Sequence, residues 1–163
     1  MPIFCTMSAG CAAICIGIAT GTLRALLGLA EKAPVDGGPG LRDRAPVQSL
    51  VARADAKLES MRDRLRSTTA TLWDEAVAGN PIQPAQIAAV VGTAITASQE
   101  CRSLVTELYA AAGASSLYTD SPIERAHRDI HAVSQHIALQ PFWLEQAGRV
   151  RLGLEATHPL FAF

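Results

Sequence analysis

Three of the four histidines of this chain fall in one stretch, ERAHRDIHAVSQHIALQP, from Glu124 to Pro141. Two arginines and an aspartate stand among them. Such residues can hold a metal, grip a phosphate or move a proton, and helical spacing separates these options. A helix turns about 100° per residue. On that period Ile123, Ala126, Ile130, Val133, Ile137 and Leu144 form one apolar stripe, the expected core face. Arg125, Asp129, Ala132 and His136 lie along one flank, and His127 and His131 along the other. His131 and His136 therefore do not form a helical metal pair. His127 and His131, four apart, could share a metal with Glu124 nearby, but a bundle metal site needs matching carboxylates from other helices. The preceding helix offers only Glu107 and the first offers none inward. No metal is expected. Asp129 stands at ion-pair spacing from Arg125, and a guanidinium held there suits either a solvated pair or a phosphate. His136 borders the core face, as a satisfied core-edge histidine or as a group that exchanges protons near neutrality.

These side chains need a frame. At 163 residues, 49% apolar and 18% charged, the chain reads as one globular domain over 1–163 with a sizeable core. A net charge of −1 and 5% aromatic residues argue against nucleic acid as a partner. Abundant alanine, with Gly and Pro gathered between alanine-rich runs, points to helices. The four cysteines, Cys5, Cys11, Cys15 and Cys101, lack CxxC spacing and read as reduced packing residues of a cytoplasmic protein.

The segment Met1–Leu23 carries no charged side chain and is long enough to span a bilayer. It is rich in Ala, Gly, Cys and Thr, and lacks basic flanks, so a helix buried in a bundle is expected and a membrane span is not. Gly10, Gly17 and Gly21 would allow close helix approach there. A loop follows over Lys32–Gln48. A second helix is expected from Val47 to Ala78, with Leu50, Val51, Ala54, Leu58, Met61, Leu65, Leu72 and Val77 inward, and with Glu59 and Asp63 pairing with Arg62, Arg64 and Arg66. A third is expected from Ala85 to Ala112. The fourth starts at Pro122, capped by Asp120 or Ser121, and runs towards Leu152 with a bend at Pro141. The expected fold is all-α, an antiparallel four-helix bundle.

The run YAAAGASSLYTDSPIERAHRDIHAVSQH, Tyr109–His136, resembles the C-terminal helical domain of the acyl-CoA dehydrogenase superfamily. The dehydrogenases of that family have a Gly-Gly loop, a Tyr-bearing turn, a Pro-hydrophobic-Glu-Arg start and an Arg-Asp pair. Here these read Gly113-Ala114, Tyr118, Pro122-Ile123-Glu124-Arg125 and Arg128-Asp129. The tail LEQAGRVRLGLEATHPLF and the helix APVQSLVARADAKLESMRDRL extend the likeness over almost the whole chain. The dehydrogenases carry their catalytic Glu in Tyr-Glu-Gly-Thr, nine residues after that Arg. Here the position is Ile137, with no Gly-Thr after it, and an apolar side chain cannot abstract an α-proton. The chain is therefore most similar to the flavin-dependent monooxygenases of the superfamily, the two-component aromatic hydroxylases, which carry a histidine one position earlier, at His136.

The resemblance implies a flavin, reduced FMN or FAD, that carries the oxygen chemistry through a C4a-hydroperoxide. His136 would be the catalytic residue, hydrogen-bonding beside the flavin or deprotonating a phenol. Gly113, Ala114, Ser115 and Ser116 would lie against the flavin, and Arg125 and Arg128 would hold its phosphate or the loop. The family precedes this bundle with a helical domain and a β domain, both absent from this sequence. An isolated chain is then expected to lack one wall of the pocket and to be inactive alone. Implied partners are further copies in a dimer or tetramer, a chain with the β domain, and a flavin reductase. Alternatives left open are a non-catalytic oligomerisation or partner-binding bundle and an acyl-CoA dehydrogenase-like fragment.

Overall fold

The structure, a computed structural model, describes residues 1–32 and 38–161. Part of the loop expected over Lys32–Gln48 lies outside the described residues. Five α-helices make up the fold: α1, Ile3–Ala30; α2, Ala45–Val77; α3, Pro84–Ala112; α4, Pro122–Val133; and α5, Phe142–Arg151. Short 3₁₀ turns lie at Leu41–Asp43, Gly113–Ser116, Ile137–Leu139 and Pro159–Phe161. The all-α class holds, and no strand occurs among the described residues. The single fourth helix expected to run to Leu152 is instead two, α4 and α5, with a 3₁₀ turn between them.

Proline at the first turns of α2, α3 and α4 sets where these helices begin, since its fixed φ suits a position whose N–H needs no partner. The expected Pro122 start of α4 is observed. Ser121 occupies its N-cap position, but its side chain makes no capping hydrogen bond.

α1 and α3 run in the same direction through the middle of the molecule. Phe4 and Cys5 share one core cluster with Ile87, Val90, Val91 and Ile95, Cys15 meets Ser98, and Leu26 shares a second cluster with Leu108. α2 runs opposite to α3, tied by Arg53–Glu107 and by Lys57–Glu100 at 2.6 Å. α4 also opposes α3, with the His127 ring 4.4 Å from the Tyr109 ring. The ion pairs on α2 therefore cross to α3; no pairing of Glu59 or Asp63 with the arginines of α2 occurs among the described residues.

α1 is long and apolar enough to cross a membrane by length and composition. Its buried face, Phe4, Cys5, Ala12, Cys15, Ala19, Leu23 and Leu26, is committed to the core. Close approach to α3 is made by small residues, Ala12, Cys15 and Ala19 against Ala94, Ala97 and Cys101, all fully or nearly fully buried. Gly10, Gly17 and Gly21 do the opposite of what was expected. They face outward, and an added Cβ would meet nothing within 4 Å at any of them. On α2, Val77 was expected inward and is exposed at the last residue of the helix.

All four cysteines are free, and Cys5, Cys15 and Cys101 are buried. Burial raises the Cys5 thiol to about 11 and the Cys101 thiol to about 12. The Cys15 thiol donates to Ser98 Oγ at 3.5 Å.

Candidate functional site

The residues singled out above fall into two groups at opposite ends of α4. The first is the loop that ends α3. Gly113 caps the helix with φ +59 and ψ −141, a region open almost only to glycine. An added Cβ would meet nothing within 4 Å, so glycine is required here by backbone conformation and not by space. Ser116 is buried, with its hydroxyl 2.6 Å from the Gly113 carbonyl oxygen and 3.1 Å from that of Tyr109. Its one proton is spent on carbonyls that α3 would otherwise leave unpaired. Ser116 therefore braces the loop. Gly113, Ala114 and Ser115 remain exposed. Ser115 lines an open cleft of about 440 Å³ with Tyr118, Lys32, Ser121 and the apolar Leu29 and Ile123. This cleft offers a lysine, the Asp120 carboxylate, three hydroxyl-bearing side chains and an apolar floor.

The arginines divide. Arg128 forks onto Glu124 one turn back, at 2.7 and 3.0 Å, and this pairing raises its already high pKa further. The pair expected from spacing, Arg125 with Asp129, does not form. Arg125 is exposed on α4 and does not line the cleft.

The second group surrounds His136. α4 stops at Val133, so His136 is not on a helix flank, and it shares no stripe with Arg125. It stands at the head of the 3₁₀ turn Ile137–Leu139, exposed, with Nδ1 accepting the Ala138 amide at 3.2 Å. The turn reverses the expected burial. Ile137, expected on the core stripe, is 66% exposed, while Ala138 and Leu139 are buried in its place. Trp143 Nε1 donates to the Ile137 carbonyl oxygen at 2.7 Å and pins the turn to α5. The Trp143 ring lies 4.3 Å from Phe4 and 4.7 Å from His158, so this end of the molecule is an aromatic platform. His136 stands exposed at the turn this platform anchors, next to the exposed Ile137.

From Ser121 to Ser134 the chain rises by roughly 20 Å at helical pitch. The Gly113 loop and His136 are thus not brought together in this chain, and no one side chain reaches from one to the other. His127 and His131 face Tyr109 instead, their rings 4.8 Å apart and edge on. Burial, then His127, then Arg102 depress the pKa of His131. Among the described residues no three His, Cys, Asp or Glu side chains gather around a point. The local helix-period reading missed the Trp143 anchor, whose signal was an aromatic two residues beyond a proline.

Against this geometry the chain was compared with known proteins. A family described as acyl-CoA dehydrogenase, C-terminal domain, matches residues 9–141. The indole-3-acetate monooxygenase of Acinetobacter baumannii is 29% identical over 141 residues, which covers 86% of this chain and 36% of that protein. The HsaA monooxygenase from M. tuberculosis has the same fold, with a TM-score of 0.87 at 22% identity, over 98% of this chain and 41% of that one. XiaF from Streptomyces sp., solved in complex with FADH2 and glycerol, superposes with a TM-score of 0.86 at 19% identity, over 96% of this chain and 40% of that one. This chain spans about a third of the length of the curated relatives it matches.

Proposed function

Because the chain belongs to the acyl-CoA dehydrogenase C-terminal domain family, we propose that it is the helical part of a flavin-dependent monooxygenase that hydroxylates an aromatic or similar small substrate. The observation that carries this reading is the turn at His136. It displays an imidazole at the position where the resemblance puts the hydroxylases' histidine, followed by the apolar Ile137 at the position where it puts a dehydrogenase's carboxylate. The likeness to a named indole-3-acetate monooxygenase supports the same branch and an aromatic substrate.

A reduced flavin, FAD or FMN, supplies oxygen activation when bound. The chain's own residues supply one wall of its site. Gly113, Ala114 and Ser115 offer exposed backbone, with Ser115, Tyr118 and Lys32 on the adjoining cleft. Arg125 keeps a guanidinium free of any ion pair for a phosphate, whereas Arg128 is tied to Glu124 and steadies the helix start. His136 would act beside the flavin as hydrogen-bonding partner or base, with the apolar Ile137 next to it. The flavin pocket closes only when the β part of the family's fold is present, on the same polypeptide or another. A flavin reductase supplies the reduced cofactor.

The exposed apolar side chains of α1, Ile3, Met7 and Ile14, favour association of several copies, with the α1 face covered in the assembly. A cytoplasmic location follows from reduced cysteines and a flavin reductase as partner.

The test uses the complete enzyme reconstituted with reductase, reduced flavin and an indole- or phenol-based substrate. The expected result is hydroxylation, lost in His136→Ala while flavin still binds. Full hydroxylation by that variant would overturn the assignment.

A further inference from the structure

His136 and His158 are built alike. Each stands immediately before a 3₁₀ turn, Ile137–Leu139 or Pro159–Phe161, and each accepts at Nδ1 the backbone N–H two residues on, from Ala138 or Leu160, at 3.2 Å in both cases. An imidazole nitrogen that accepts must hold a lone pair in the ring plane and so cannot carry a proton. The amide itself is not free to turn away. Ala138 is fully buried, its neighbour Ile137 is held by Trp143 at 2.7 Å, and Leu139 N–H returns to the His136 carbonyl at 2.9 Å. The Nδ1–H form of His136 would set two N–H groups against each other.

We propose that the Ala138 amide fixes the neutral His136 imidazole with its proton on Nε2, so that the outward edge of the ring is a hydrogen-bond donor and not a base. This deepens the function proposed above and rests on it only for the nature of the occupant. A ring held this way cannot take a proton from a phenol through Nε2 without giving up its cap. It favours a substrate that brings an acceptor oxygen, a phenolate or carboxylate, to the outward edge of the ring. Among the described residues no such cap holds His127 or His131, which leaves them as internal controls in the same molecule.

The experiment is long-range ¹H–¹⁵N correlation on the chain labelled with ¹⁵N-histidine, at a pH where imidazole is neutral. The expected spectra show His136 and His158 with Nε2 protonated and Nδ1 bare. Amide exchange at Ala138 adds a second reading. His136→Ala should speed it about fivefold through loss of the cap, while His136→Asn, whose Oδ1 can accept in place of Nδ1, should leave it slow. An Nδ1–H signal at His136, a mixture of both forms such as a free imidazole gives, or Ala138 exchange unchanged in His136→Ala would each overturn the proposal. The spectra need no flavin. A clean Nε2–H signal with hydroxylation intact in His136→Ala would sink the catalytic assignment and keep the tautomer. Nδ1–H with hydroxylation lost would do the reverse.

Discussion

The indole of Trp143 on α5 donates to the carbonyl oxygen of Ile137 at 2.7 Å, and this bond fixes where α4 gives way to the turn that carries His136. Trp143→Phe keeps the ring in contact with Phe4, Phe161 and His158 but removes the donor. The expected cost is about 1 kcal/mol, because the exposed side of Ile137 lets water replace the lost partner. Trp143→Ala also removes the ring and should cost about 3–5 kcal/mol. Urea denaturation measures both. Equal losses in the two variants would show that the bond, and not the ring, holds the turn; no loss in Trp143→Phe would show the reverse.

Gly113→Ala should destabilise the chain by about 1–3 kcal/mol, purely through backbone conformation, since no atom stands near the added methyl group. Ser116→Ala should cost about 1–3 kcal/mol by stripping a buried donor from the Gly113 and Tyr109 carbonyls. The two sites share one cap, so the double variant should lose less than the sum of the singles. Strict additivity in a double-mutant cycle would separate them.

How much of this was legible differs from residue to residue. Pro122 announced the start of α4 because proline acts through its own ring, and the structure has it there. The end at Val133 was invisible. Ile130, Val133, Ile137 and Leu144 continue a perfect helical period, and Pro141 reads as a bend in it as readily as a stop. Pro141 leaves the Ile137 carbonyl without a helical partner, the Trp143 indole six residues on takes it, and Ala138 and Leu139 are buried in a 3₁₀ turn instead. For the same reason the spacing of Arg125 and Asp129 misled. Local spacing lists possible partners, and the choice of Glu124 by Arg128, or of Glu107 by Arg53 from another helix, is made by tertiary packing. In the loop Gly113 to Ser116, the burial of Ser116 is a property of the assembled helix end, which local spacing does not show.

The buried thiols give an alkaline signature. Burial raises Cys5 to about 11 and Cys101 to about 12, from an ordinary 9.0, so the folded chain holds these protons more tightly than the unfolded chain. Their contribution to stability is complete below pH 9 and declines as pH rises towards the folded values. Mass spectrometry after iodoacetamide at pH 8 should find Cys11, the least buried, modified first, with Cys5 and Cys101 protected until denaturant is added. Early labelling of Cys101 would contradict the packing.

His131 titrates below its ordinary value, through burial, then His127, then Arg102. The folded chain thus favours the neutral ring, a small contribution that is present above about pH 6.5 and lost as pH falls through the depressed value. Arg102→Gln should move the midpoint upward but not fully back, because burial is the larger cause. Proton NMR of the ring follows it. A midpoint that does not move on loss of Arg102 would leave burial and His127 as the whole cause.

The seam between α1 and α3, lined by Ala12, Cys15 and Ala19 on one side and Ala94, Ala97 and Cys101 on the other, leaves its mark on how the sequence can drift over generations. A larger side chain at any of these places must push two parallel rods apart, and the push reaches the platform under His136, which both rods support. Descendants of this chain can trade alanine for glycine or serine there and little else. The solvent side of α2 carries no such restriction, so lineages should diverge on that side while the seam stays almost unchanged.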